Sequence, residues 1–167
     1  TRLAASGCNL LIPTRRRERA RALLTLPTAD VVEAEIHDGR ALTQLMSGMD
    51  AVINLVGILH SRNGTPYGPD FARVHVELPR KIVAAAAQTR VDRLVHVSAL
   101  NADRNGPSGY LRSKADGEAA IRLESASVPF GTDLLFAGDG YFSFGVELCE
   151  DLVTVIPPSS YHALAGA

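Results

Sequence analysis

At 167 residues, with 46% hydrophobic side chains and a formal net charge of -1, the chain is sized for one globular core and lacks the broad basic footprint of a nucleic-acid binder. No apolar run approaches the roughly 20 residues of a membrane-spanning helix, and no signal peptide opens the sequence. Two cysteines, Cys8 and Cys149, give neither a disulfide framework nor a metal-ligand spacing, and the histidines are scattered, so a cytoplasmic setting without a metal site is expected.

The segment Leu3-Ala-Ala-Ser-Gly7 reads as a helix end, with Gly7 suited to the left-handed position that follows one, and leads us to expect a segment upstream of Thr1. Asn9 to Pro13 is the first predicted strand. Arg15, Arg16, Arg17, Arg19 and Arg21 crowd the expected helix that runs from there through Leu23 and Leu24. Such a cluster serves as a solvated helix face, a nucleic-acid patch or an anion pocket, and the lack of interleaved aromatic residues weakens the second reading. A second strand is expected over Asp30 to Ile36. Asp38 then caps a helix carrying Leu42, Leu45 and Met46, which Gly48 ends.

Asp50 to Val56 is a near-continuous apolar run, predicting a fully buried strand of a parallel sheet. Residues 60–69, rich in Gly, Pro and polar side chains, predict a surface loop bordering the site. The helix after it keeps Phe71, Val74, Leu78, Ile82 and Ala85 on one face, with Pro79 expected to kink it or mark a late start. Arg93 to Ser98 predicts a strand, Asn101 to Ser108 a polar loop, and Gly109 to Leu123 a helix. Beyond Leu123 the pattern fades to a fifth strand within Val128–Phe136, a turn at Gly138-Asp-Gly140, and a helix and short strand within Phe142–Val155. Strict alternation of strands and helices predicts an α/β fold on a parallel sheet, with the organised part in residues 1–123 and a divergent continuation in 124–167.

The chemical signal is Tyr110 followed four residues later by Lys114. On a helix the two share a face, and an ammonium near a phenol favours the phenolate, making the tyrosine a usable acid and base near neutrality. Ser98 ends the strand that precedes them.

Taken together, Val52-Ile-Asn-Leu-Val-Gly57, Val95-His-Val-Ser-Ala-Leu100 and Tyr110-Leu-Arg-Ser-Lys-Ala-Asp-Gly-Glu118 resemble the short-chain dehydrogenase/reductase superfamily. The likeness, from about Leu3 to Arg122, is to its atypical, extended epimerase/dehydratase branch, and within it to bacterial relatives of the nucleotide-binding accessory subunit of respiratory complex I. The resemblance implies a Rossmann-type doubly wound parallel sheet. The family's first strand and glycine-rich loop, and most of its C-terminal substrate lobe, have no counterpart among these residues. It implies a nicotinamide dinucleotide as ligand, with NADP(H) favoured over NAD(H), because Pro13-Thr-Arg-Arg-Arg17 offers Arg15 and then Arg16, and no carboxylate, where the ribose phosphate is read.

By the same resemblance Glu35 and Ile36 border the adenine, and Asn54, Leu55, Val56 and Gly57 line the middle of the cofactor. Tyr110 is the acid/base, Lys114 tunes it and orients the ribose, and Ser98 assists. His75 and Asp70 fall near the start of the long helix, where relatives carry a polar residue facing the site; His75 is expected not to be catalytic. Two functions follow. One is an oxidoreductase or epimerase-type enzyme with a small-molecule substrate. The other is a non-catalytic NADP(H)-binding accessory or assembly subunit, docked on a respiratory complex or another protein at the inner membrane.

Overall fold

The computed structural model describes residues 2–121, 135–137 and 143–145, which fall in two compact units, Thr1–Glu124 and Ser125–Ala167. In the first unit a short helix α1 (Arg2–Ala5) ends at Gly7, whose φ of 82° needs a residue without a Cβ. Strand β1 (Leu10–Thr14) runs parallel to β2 (Ala29–Glu33), in a register that sets Leu10 opposite Ala29 and Thr14 opposite Glu33. Strand β3 (Val52–Asn54) runs parallel to β4 (Leu94–His96), with Asn54 opposite His96. These are the parallel strands of a Rossmann-type α/β fold. In the strand order 3-2-1-4-5 of dinucleotide-binding sheets the two pairs correspond to 3-2 and 4-5, and no described strand joins β1 to β3.

Helix α2 (Gly39–Met46) starts where Asp38 accepts the Arg40 N–H at 2.9 Å. Its Leu42 and Met46, one turn apart, bury against Leu78, Ile82, Ala85 and Ala86 of helix α4 (Leu78–Thr89) and against Val91, with Ile36, Val52 and Leu94 packed alongside. Each such aliphatic side chain contributes about 1.5–3 kcal/mol when fully buried, so this α2–α4 contact is the core of the unit.

Two expectations are corrected. The Arg-rich helix is only a 3-10 turn, Arg17–Ala20, after which the backbone continues in separate turns, Leu23 N–H to the Ala20 carbonyl at 2.8 Å and Leu24 N–H to the Arg21 carbonyl at 3.2 Å, and not in an α-helical ladder. The run Asp50–Val56 is a strand only over Val52–Asn54 and is not fully buried. Ile53 is 41% exposed and Leu55, beyond the end of the strand, 70%. Pro79 marks the late start that its position predicts, at the second residue of α4, which begins at Leu78. A three-residue helix α3 (Pro69–Phe71) widens into a π-helical segment, Ala72–Glu77, that passes into α4. Residue 79 of an α-helix would donate its N–H to the carbonyl of residue 75; Pro79 has no N–H and its ring crowds that carbonyl, and the wider π turn relieves both.

Helix α5 (Gly109–Ile121) crosses this widened stretch, with the remainder of its expected span to Leu123 outside the described residues. In the second unit β5 (Leu135–Ala137) pairs antiparallel with β6 (Ser143–Gly145). A strand therefore stands at Ser143–Gly145, near the start of the stretch Phe142–Val155 where a helix and then a short strand are expected. The expected turn at Gly138–Gly140 and the elements expected through Val155 lie outside the described residues.

Gly117 lets α5 approach. A Cβ there would run into the carbonyl oxygen of His75. Gly117→Ala should force the two backbones apart and cost about 1–3 kcal/mol, read as a lower midpoint in urea unfolding; an unchanged midpoint would mean the helices can part freely.

Candidate functional site

Helix α5 presents Tyr110, Ser113, Lys114 and Gly117 on one face, the i, i+3, i+4, i+7 spacing that a helix turns toward a neighbour. Ser113, Lys114 and Gly117 are buried and Tyr110 is half-buried. The face meets the π-helical segment through His75, which is 1% exposed. His75 Nε2 accepts the Ile58 N–H at 3.1 Å, so its proton sits on Nδ1 and is donated to Ser113 Oγ at 2.8 Å. Ser113 in turn donates to the Tyr110 carbonyl at 2.7 Å. The chain of bonds runs in one direction and requires a neutral imidazole. Burial first, and then the Lys114 and His96 charges, hold the His75 pKa down at about 4. His75 thus pins the loop after β3 to α5.

The ring of Tyr110 meets His75 edge-on at 5.5 Å and Phe71 at 5.9 Å, while Phe71 stacks on His75 at 5.2 Å. These contacts fix the ring plane on which the phenol is carried. Lys114, 4% exposed, donates to the Val97 carbonyl at 2.8 Å, just past the end of β4. Burial lowers its pKa, partly offset by the Glu118 carboxylate one turn on. A Cβ on Gly57 would lie 3.9 Å from both Lys114 Nζ and His75 Nε2, so the loop after β3 passes directly over the ammonium. The hydrogen bonds described do not include one between Lys114 and the Tyr110 hydroxyl. Lys114 has three N–H donors, and Val97 takes one of them.

Asn54 closes the floor. Its Oδ1 accepts the Val56 N–H at 3.2 Å, which turns its Nδ2 toward His96 Nδ1 at 2.9 Å. The His96 proton then lies on Nε2, a buried atom without a partner among the described residues; Ser98 Oγ is another. Burial, then the Lys114 charge, lowers the His96 pKa to about 4. Leu55 and Val56 are exposed along the rim beside Gly57.

The remaining candidates gather around the ends of β1 and β2. Arg15, Arg16 and Arg17 are exposed and form no ion pair among the described residues. The sequence reading found no carboxylate at this turn, and the structure corrects it: Glu33, brought level with Thr14 by the strand register, accepts the Arg17 N–H at 2.9 Å. Glu35 accepts the His37 N–H at 3.0 Å, the main reason its carboxyl is held below the usual range, and lies 4.0 Å from Arg73. Ile36 packs against the α2–α4 core.

The loops flanking the site are held by the outer side of α5. Arg112 donates to the carbonyls of Pro66 at 2.8 Å and Gly106 at 2.6 Å. Asp116 accepts from the Tyr67 hydroxyl at 2.7 Å and Arg104 Nε at 2.8 Å, and burial together with that carboxylate pushes the Tyr67 pKa up to about 12. Asp70 clasps Arg62 through Nε at 3.1 Å and Nη2 at 3.0 Å, which holds its carboxyl at about 2. Reasoning from sequence missed Glu33, His96, Ser113 and Asp116. Of these only His96, a lone titratable residue inside an apolar strand, carried a visible signal.

Comparison with known proteins shows the family. A family model described as NAD(P)H-binding matches residues 1–126. The mitochondrial NADH-ubiquinone oxidoreductase 40 kDa subunit of Neurospora crassa is 32% identical over 124 residues, 72% of this chain and 32% of that protein. The mitochondrial NADH dehydrogenase [ubiquinone] 1 alpha subcomplex subunit 9 of Mus musculus is 36% identical over 91 residues, 54% of this chain and 23% of that protein. The chain therefore spans about a third or less of the length of these relatives.

A glutamine-dependent NAD(+) synthetase of Mycobacterium tuberculosis is 53% identical over 55 residues, 31% of this chain but 8% of that protein; it shares a segment. Among solved structures, the dTDP-glucose 4,6-dehydratase DesIV of Streptomyces venezuelae, with NAD and DAU bound, superposes with a TM-score of 0.58 at 19% identity. It covers 71% of this chain and 45% of its own. That likeness shows the fold.

Two buried imidazoles with pKa values near 4 make stability pH-dependent. Unfolding frees them to titrate at their ordinary value near ~6.5, so between the two values the unfolded chain binds more protons and stability falls as pH falls. Thermal melts should be level above about pH 6.5 and decline steadily toward about pH 4.5. A profile level throughout would contradict the neutral, buried pair.

Proposed function

We infer function from one premise, that this chain belongs to the NAD(P)H-binding family matched over residues 1–126, and we propose that its dinucleotide lies across the C-terminal ends of β1 to β4. The binding role falls to residues 1–123. Asn54, Leu55, Val56 and Gly57 line the middle of the cofactor, Glu35 and Ile36 border the adenine, and Arg15, then Arg16, receive the ribose 2′-phosphate. Guanidinium forks match phosphate geometry and those of this turn have no other ion-pair partner among the described residues, which supports NADP(H) over NAD(H). Unpartnered buried donors at Ser98 and His96 support a polar ligand there.

The activity we propose is that of an oxidoreductase or epimerase-type enzyme acting on a small carbonyl or alcohol substrate. When bound, the nicotinamide supplies or accepts a hydride. Tyr110 exchanges a proton with the substrate oxygen, and Ser98 donates a hydrogen bond to the same atom. Lys114 keeps two donors for the ribose and the phenol while its third holds the Val97 carbonyl. The observation that carries this reading is the convergence of Lys114 with the Gly57 loop and the end of β4.

A second reading is supported by the two mitochondrial relatives, whose names place them as subunits of NADH dehydrogenases. In it the same site binds NADP(H) without turnover, to hold the fold of an accessory subunit that docks on a respiratory complex. The protein is then cytoplasmic and peripheral to the inner membrane; among the described residues no helix is long and apolar enough to cross one.

Tyr110→Phe should abolish reductase turnover in a substrate screen while leaving the NADPH dissociation constant within about twofold, since only the proton donor is lost. Turnover that survives would rule out Tyr110 as the acid, and wild-type binding without any turnover would favour the accessory role. Arg15→Glu with Arg16→Glu should weaken NADPH by more than about tenfold and NADH far less, by calorimetric titration. Equal losses would remove the phosphate pocket.

A further inference from the structure

The turn that offers its guanidinium groups to a phosphate already holds an anion of its own. Glu33 is the last residue of β2, and the parallel register places it level with Thr14, the last residue of β1. Its Oε1 accepts the Arg17 backbone N–H at 2.9 Å. Beside it Thr14 Oγ1 accepts the Arg16 N–H at 3.3 Å and donates to the Arg16 carbonyl at 3.2 Å. Two side-chain oxygens from adjacent strand ends therefore shape the turn, and one of them is a full negative charge exposed beside Arg15, Arg16 and Arg17.

We propose that Glu33 is a specificity-determining residue that limits the preference for NADP(H) and lets the site accept NAD(H) as well. The inference rests on the dinucleotide reading above. The acidic residue that reads ribose hydroxyls ordinarily ends the strand preceding the turn; here Thr14 ends that strand, and the carboxylate comes from its neighbour. Oε1 is committed to Arg17, leaving Oε2 to accept from a ribose hydroxyl. A 2′-phosphate at the same place meets like charge from Glu33 and opposite charge from the arginines, so the two dinucleotides are drawn toward equal affinity. The arginines set the direction of the preference and Glu33 its size.

Glu33→Gln separates charge from shape, because the amide oxygen can still accept the Arg17 N–H. NADPH and NADH titrated calorimetrically into the intact protein should show the NADPH-to-NADH affinity ratio rising on the order of tenfold in this variant. Glu33→Asp, which keeps the charge, should stay within about twofold of the wild type. Melting curves of all three proteins report whether the turn persists. A ratio unchanged in Glu33→Gln, with both dinucleotides still bound, overturns the role of Glu33 and leaves the site standing. A ratio that rises equally in Glu33→Asp assigns the effect to turn geometry and also overturns it. Failure of the wild type to bind either dinucleotide overturns the site and this inference together.

Discussion

His75 and Ser113 meet at 2.8 Å inside the protein, and the bonds of this imidazole tie together three segments. His75 brings the π-helical stretch, Ser113 brings α5, and the Ile58 N–H bound to the far nitrogen brings the loop after β3. A buried imidazole has two ring nitrogens to satisfy, and here each has a single partner of the right polarity. Reversing the tautomer would set a donor against the Ile58 donor. The Gly57 loop, the Tyr110 ring and the Lys114 ammonium take their positions from this pin, with Gly117 allowing the helices to close to backbone contact.

The charge arrangement around the pin is economical. One buried ammonium, Lys114, stands among imidazoles that it helps to keep neutral. A low-dielectric pocket with a single fixed positive charge strengthens any interaction with a polar or anionic group brought beside it. Stability and the shape of the pocket are coupled here, because acid that protonates His75 would break the bond chain that holds the loop after β3.

The two functional readings use the same pocket and differ in what surrounds it. The proposed enzyme rests on Tyr110, Ser98 and Lys114 exchanging a proton beside a hydride carrier, whereas the proposed accessory role rests on relatives named as NADH dehydrogenase subunits, which match this chain over a third or less of their length. One scaffold hosts both, so the distinction lies in turnover and not in fold. The loops pinned by Arg112 and Asp116 belong to either account, since a substrate pocket and a docking surface both need a rigid rim.

Local pattern carried much of this protein. The alternation of apolar runs with helical periodicity specified parallel strands and the helices between them. Asp38 announced its cap, and the four-residue spacing of Tyr110 and Lys114 put them on one helix face. Each of these depends on neighbours in the chain, within reach of propensity and period. Tertiary structure decided what lies between distant segments. The strand register carried Glu33 to the arginine turn, the pairing of Asn54 with His96 set an imidazole tautomer, and packing against α5 turned His75 into a pin. Pro79 lies between the two: its missing N–H is written in the sequence, but only the tertiary structure shows the His75 carbonyl lying where a Cβ on Gly117 would collide with it. Register, tautomer and close backbone approach are long-range properties, and no periodicity encodes them.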